Sequence, residues 1–395
     1  MNRFYREYLD AEVDRRGTNC EKWDRCQENF GRADLLPMWV ADMDFRTAPA
    51  VAEAIAKRAE HAIYGYTENS AEEKRAEQGW LKRRYGLDVE ADWILYSPGV
   101  VDSIFFCVRA MTEPGDAIVI QPPVYGPFYR AIQLFERTLV ENPLLRTASG
   151  WEMDFDLLEK QFAAGAKMMI LCNPHNPVGR VWRREELQRV VDLAARYRVI
   201  IIADEIHADF NLGPTPHTRI LSLDGSDRCV MLTSATKSFN LAGLRQSSAI
   251  VRDAALREKL RAEIDRAHAG TPNIFGAIAQ TAAYNQGDEW MDAVVEYIRE
   301  NRDFAVDFIR SRIPQIHCQP QEGTYLMWLD CRDVGVSHEE FFRRLVEEAG
   351  VALNSGMDYG AEAGRGYFRF NLATRRANVE DALKRIEKMV RSMNA

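Results

Sequence analysis

Three observations predict an α/β fold built on a mostly parallel, helix-covered sheet. The apolar runs Met168-Met169-Ile170-Leu171-Cys172, Val199-Ile200-Ile201-Ile202-Ala203 and Cys229-Val230-Met231-Leu232 show no alternation, which suits strands buried on both faces. Between such runs, residues 185–197 set Leu187, Val190, Val191 and Ala194 on one helical face, and alternating strands and helices build parallel sheets. Near Asp288 the pattern changes, and 290–312 reads as one long helix leading into a smaller α/β domain.

The expected elements follow in order. Residues 1–45 are polar and irregular, an arm expected to wrap onto the smaller domain or a partner subunit. Residues 46–288 form the large domain. It opens with a helix over 49–61, with Pro49 at its start, followed by the aromatic turn Tyr64-Gly65-Tyr66-Thr67 and a charged helix over 71–85. A strand over 93–96 runs into Ser97-Pro98-Gly99-Val100-Val101-Asp102 and a further helix, a turn able to aim free amide groups at an anion. After a strand over 117–120, the prolines of Gln121-Pro122-Pro123-Val124-Tyr125-Gly126-Pro127 stiffen a loop around Tyr125. Residues 289–395 form the small domain, with a strand over 324–329, a helix over 338–349 and a strand over 366–373 that carries Arg369.

Composition sets the outer bounds. A chain of 395 residues with 46% hydrophobic and 28% charged residues suits a two-domain globular enzyme. The net charge of −8 argues against a nucleic-acid footprint. Seven scattered cysteines without a C-x-x-C pair read as reduced thiols, and the seven histidines spell no metal site. No signal-like apolar segment opens the chain and no run of roughly 18 apolar residues occurs, so a cytoplasmic protein without membrane contact is expected.

The strand ends carry the chemistry, as open α/β sheets place their ligands there. Lys237 lies in Thr233-Ser234-Ala235-Thr236-Lys237-Ser238, just beyond strand 229–232. Its amine could condense with a carbonyl, while Ser234, Ser238 and Arg245 would suit a phosphate, a pairing that suggests pyridoxal phosphate. Taken alone, a lysine among serines more often marks a solvated loop. Asp204 ends strand 199–203, where a carboxylate could hold the proton of a pyridinium nitrogen. Asn173 stands at the same end of the sheet. Arg369, among aromatic and apolar neighbours, would be costly to bury without an anionic partner.

The runs Asn173-Pro174-His175-Asn176-Pro177-Val178-Gly179, Asp204-Glu205-Ile206-His207 and Ser234-Ala235-Thr236-Lys237-Ser238-Phe239-Asn240-Leu241-Ala242-Gly243-Leu244-Arg245 resemble the fold-type I pyridoxal-phosphate (PLP) enzymes, the aspartate aminotransferase superfamily. The amino-terminal segments 14–24 and 37–45 resemble its MalY/PatB branch, the cystathionine β-lyases or C-S lyases, and the likeness spans nearly the whole chain. It implies that Lys237 holds PLP and later acts as base, that Asp204 pairs with the ring nitrogen, Asn173 with the ring oxygen, and that Tyr125 stacks on the ring. It further implies a phosphate held by the Val100 and Val101 amides, Ser234 and Arg245. Tyr66 would come from the neighbouring subunit of a homodimer with shared active sites. Arg369 would grip the substrate's α-carboxylate, and Trp39 would shape its side-chain pocket.

The expected reaction is β-elimination from cystathionine or another S-substituted cysteine, giving pyruvate, ammonia and a thiol. An aminotransferase would use the same groups. A binding or regulatory protein on the same fold is a third reading, disfavoured by the retained lysine, aspartate and arginines. Two departures from the family pattern are mild: Cys20 stands where a serine is expected, and Thr236 and Ser238 flank the lysine in place of the commoner Ser/Thr order.

Overall fold

The computed structural model describes residues 1–147 and 150–393; Ala148, Ser149, Asn394 and Ala395 lie outside the described residues. A seven-stranded sheet forms the centre, in the spatial order Ile94–Ser97, Ser247–Val251, Cys229–Thr233, Ile200–Asp204, Met168–Cys172, Ala117–Ile120, Thr138–Glu141. Ser247–Val251 pairs antiparallel with both neighbours, and the other ladders are parallel. Every residue of Met168–Cys172, Ile200–Asp204 and Cys229–Thr233 is buried, as their unbroken apolar runs require. Each large aliphatic side chain there contributes roughly 1.5–3 kcal/mol by leaving water. Cys172 pairs with Asp204 and Asp204 with Leu232, so three strands deliver their carboxyl ends to one edge.

Beyond the 25-residue helix Asp288–Arg312 lies a second, antiparallel sheet of Leu326–Asp330, Tyr367–Asn371 and Asn354–Ser355. Arg369 sits in its middle strand, opposite Trp328 on one side and Asn354 on the other. The strand expected from Thr324 begins at Leu326, because Thr324 has a φ of 64° and cannot extend the ladder. Among the described residues, no helix is long and apolar enough to cross a membrane.

The amino-terminal arm differs from the irregular segment expected. Arg3–Asp10 is a helix capped by Asn2, whose side chain accepts from the Tyr5 amide at 2.9 Å. At 8 residues it is too short to be stable alone, and it is held by Arg6 forking onto Glu300 of the long helix, both bonds 2.6 Å. Further on, Leu36–Pro37 pairs in parallel with Val351–Ala352. Met43 and Phe45 then enter the same core as Trp290, Tyr297 and Leu326.

Candidate active site

A cavity of about 190 Å³ opens at the carboxyl edge of the central sheet. Its walls bring together Lys237, Asp204, Tyr125, Val100, Val101 and Arg245, residues spread over 146 positions of sequence.

Lys237 occupies the short helix Ala235–Ser238, whose first turn is capped by Ser234 accepting from the Thr236 amide at 2.9 Å. Its Nζ donates to the Ala41 carbonyl at 2.5 Å. Burial pushes the ammonium below its ordinary pKa; Asp42 and Asp204 oppose the shift and Arg369 adds to it. A lysine so placed spends more time as the neutral, nucleophilic amine.

Asp204 is buried at the cavity wall and accepts from the Ile206 amide at 3.1 Å. Burial raises its carboxyl to about 6, partly offset by the Ile206 amide and Lys237. Such a group gains from a positively charged donor.

The opposite end of the cavity is built for an anion. The helix Val100–Met111 begins there, and its first internal bond runs from the Ser103 amide to Gly99, which leaves the amides of Val100 and Val101 without helical partners. Position 99 is tight, since a Cβ would stand 2.6 Å from Asp102 Oδ2. Arg245 pairs with that carboxylate at 3.0 Å, yet 61% of its side chain remains exposed and free to meet a second anion.

Arg369 is 4% exposed. It donates to the Trp39 carbonyl at 2.9 Å, Asn354 Oδ1 at 2.8 Å and Asn176 Oδ1 at 3.2 Å, while its Nε meets no acceptor. All three partners are neutral. A buried guanidinium without a countercharge costs several kcal/mol, so the site favours a bound carboxylate.

Four expected placements need correction. Asn173 does not face the cavity: its amide donates to the Thr218 carbonyl at 3.2 Å and its oxygen accepts from the Trp182 amide at 3.2 Å. Its backbone still pairs with Asp204, which turns the side chain into the protein, and Asn176, three residues on, lines the cavity instead. Ser234 is consumed locally, capping Thr236 and donating to the Gln246 carbonyl at 2.6 Å, while Thr236 lines the cavity. The Trp39 indole points away, donating to the Lys22 carbonyl at 2.9 Å and packing edge-on against Phe30, so only its carbonyl reaches the site, through Arg369. Ser238 turns onto Asp209. Tyr66 is fully exposed and lies outside the cavity of its own chain.

Sequence reasoning put Trp39 at the side-chain pocket but did not see that the segment around it is a strap held by its backbone. Residues 39–43 cross the site and are held by their carbonyls: Trp39 by Arg369, Val40 and Asp42 by Asn371, Ala41 by Lys237 and Tyr325, Met43 by Asn240. Asp44 anchors the strap, paired with Lys22 and Arg15, both at 2.8 Å. Burial alone would raise its carboxyl, but those cations and the Trp23 indole hold it below the usual range. Backbone acceptors leave no mark in a sequence. His207 was also passed over, although it ends the Asp204-Glu205-Ile206-His207 run; it lines the cavity, and burial beside Lys237 and Arg369 keeps it neutral.

The family model for aminotransferase class I and II matches residues 33–386. The chain is 39% identical to the cystathionine beta-lyase PatB of Bacillus subtilis over 96% of this chain and 98% of that protein. It is 34% identical to protein MalY of Escherichia coli, over 96% and 98% of the two chains. Its structure is similar to that of cystalysin from Treponema denticola, which contains a pyridoxal 5'-phosphate cofactor, with a TM-score of 0.93 at 32% identity over 97% of this chain and 98% of that one.

Proposed function

The chain belongs to the aminotransferase class I and II family, in its cystathionine β-lyase branch, and from that membership we propose that it is a PLP-dependent carbon–sulfur β-lyase. Its substrate is an amino acid; in this reading it is cystathionine or another S-substituted cysteine, cleaved to pyruvate, ammonia and a thiol. One observation carries the reading: a single cavity sets a depressed lysine amine and a raised carboxyl beyond a helix start and arginine, with an uncompensated buried arginine bonded to its wall. Those groups fit PLP, whose aldehyde, ring nitrogen and phosphate need an amine, an acid and an anion site.

When bound, PLP supplies an electron sink for the pair of electrons left at Cα. The protein's own groups do the rest. Lys237 would carry the cofactor, release it to the substrate amine, and then take the Cα proton on Nζ. Asp204 would hold a proton at the ring nitrogen, and Tyr125 would cover the ring face. The Val100 and Val101 amides, Thr236 and Arg245 would hold the phosphate. Asn176, its oxygen already on Arg369, has its amide nitrogen left for the ring oxygen. Arg369 would exchange the Trp39 carbonyl for the substrate carboxylate.

Elimination uses the electrons to break Cβ–S, whereas transamination leaves them on the cofactor. With an S-substituted cysteine and no keto acid, the enzyme should release pyruvate, ammonia and thiol in equal amounts over many turnovers. If it stalls after one turnover with every thioether, and cycles only when a keto acid is supplied, it is an aminotransferase.

Arg369→Ala should lower kcat/KM about 10- to 150-fold, the equivalent of losing roughly 1.5–3 kcal/mol of charge-assisted contact, with cofactor affinity unchanged. An equal loss of PLP binding would place this arginine at the phosphate.

Homodimerisation with shared sites is part of the reading, supported by the exposed cluster Ile63, Tyr64 and Tyr66. Mixed Tyr66→Phe and Lys237→Ala subunits should regain activity, because one hybrid site then carries neither lesion. Hybrids that form without regaining activity would rule out sharing. The division into arm, large domain 46–288 and small domain 289–395 belongs to the same proposal, as does a cytoplasmic location, which the seven free thiols support.

A further inference from the structure

Behind the anion end of the cavity, the helix Ala71–Tyr85 buries two carboxylates four residues apart on one face, Glu73 at 1% and Glu77 at 0% exposure. Each has one oxygen satisfied by a neutral donor. Gln246 donates to Glu73 Oε1 at 2.6 Å and Ser248 to Glu77 Oε2 at 2.8 Å. Glu73 Oε2 and Glu77 Oε1 meet no donor. The nearby cations are engaged elsewhere: Lys74 on the Ala91 carbonyl at 2.9 Å, Arg219 on Glu205 at 3.1 Å.

Two further groups complete a nest. The Tyr96 hydroxyl lies beside both carboxylates and leans toward Glu77, whose carboxyl it helps to lower, without completing a full hydrogen bond. Gln280, 1% exposed on the helix Ile274–Gln286 that packs along Ala71–Tyr85, has neither amide atom partnered. One turn before it, a Cβ on Gly276 would lie 3.2 Å from Gln246 Cβ, and one turn after it Tyr284 faces Glu77. Unmatched acceptors and two formal negative charges are thus enclosed together, a costly arrangement without a cation. All the donors are oxygens, which suits a hard ion rather than a transition metal. A cleft of about 260 Å³ opens onto Tyr96 and Gln246, at the edge of the nest.

We propose that Glu73 and Glu77, with Tyr96 and Gln280, bind a monovalent alkali cation for which protons compete. Burial raises both carboxyls to about 7; the Ser70 amide, Gln246 and Lys74 pull Glu73 back, Ser248, Tyr96 and Arg219 pull Glu77 back, and the Glu73 carboxylate pushes Glu77 up further. Their folded values lie above the ordinary carboxylate range. Without a cation, stability is therefore greatest in acid and is lost as pH rises through about 7. A bound cation restores it above that pH. The nest also touches the active site: Gln246, which holds Glu73, accepts the Ser234 hydroxyl that caps the helix bearing Lys237.

The test is the melting temperature of the holoenzyme in potassium, sodium or tetramethylammonium chloride at equal concentration. At about pH 8.5 the small cations should raise Tm by on the order of 2 °C over tetramethylammonium, and at about pH 5.5 the difference should vanish. Glu77→Gln should remove the difference and leave the variant at least as stable in tetramethylammonium. Should that variant fail to fold, rubidium-soaked crystals of the unaltered protein decide the matter by an anomalous peak between Glu73 and Glu77. Identical melting in all three salts at alkaline pH, a cation effect that survives Glu77→Gln, or no rubidium at the nest would overturn the proposal.

Discussion

Lys237→Ala is expected to lower turnover by at least about 10⁴-fold, since one substitution removes both the amine that carries the cofactor and the base that takes the Cα proton. The fold should survive. Lys237 Nζ donates to the Ala41 carbonyl, a bond worth roughly 1 kcal/mol, and that carbonyl keeps the Tyr325 hydroxyl at 2.9 Å as a second donor. The burial that depresses the ammonium also means that little favourable charge is lost. Circular dichroism and melting temperature should therefore match the unaltered protein while pyruvate release disappears. Retained elimination would show that another group takes the proton.

Asp204→Asn should have the next largest effect, a fall in kcat of about 10²–10³-fold with cofactor still bound, because an amide cannot stabilise the charge of a protonated ring nitrogen. A stability signature should accompany it. The carboxyl is raised to about 6 by burial, above its ordinary value near 3.8. The cofactor-free protein is therefore most stable below the lower value and loses stability as pH rises toward the higher one. Asparagine does not titrate, so the variant should lack this part of the slope between about pH 4 and 6. Near-normal turnover would mean that Asp204 does not serve the ring, and an unchanged slope in apoprotein melting that burial does not raise its carboxyl.

The sequence was most legible where one physical requirement dominated. The strands at 168, 200 and 229 had to be apolar up to their carboxyl ends because helices and neighbouring strands leave them no wet face, and their order carried Asp204 and Lys237 to one edge. The turn at Gly99 was readable for a similar reason, since few residues tolerate so close an approach of backbone and carboxylate. Short, tertiary-held pieces were not readable: the helix Arg3–Asp10 depends on Glu300, almost three hundred residues away.

What the sequence by itself determined was therefore the sheet, its chemical edge, and the identity of the lysine, aspartate and arginine gathered there. Only the tertiary structure decided which way the polar groups beside them face. Asn173 and Asn176 offer the same amide three positions apart, and the choice between them lay with Thr218 and Trp182, which claim the first and leave the second for the cavity. Ser234 and Thr236 offer the same hydroxyl, and the capping of a four-residue helix consumed one of them. Whether Arg369 had a protein countercharge could be read only from its completed surroundings, which proved to be carbonyl and amide oxygens. A residue's chemistry is written in its side chain, whereas its direction depends on backbone angles and on which distant partner satisfies it first.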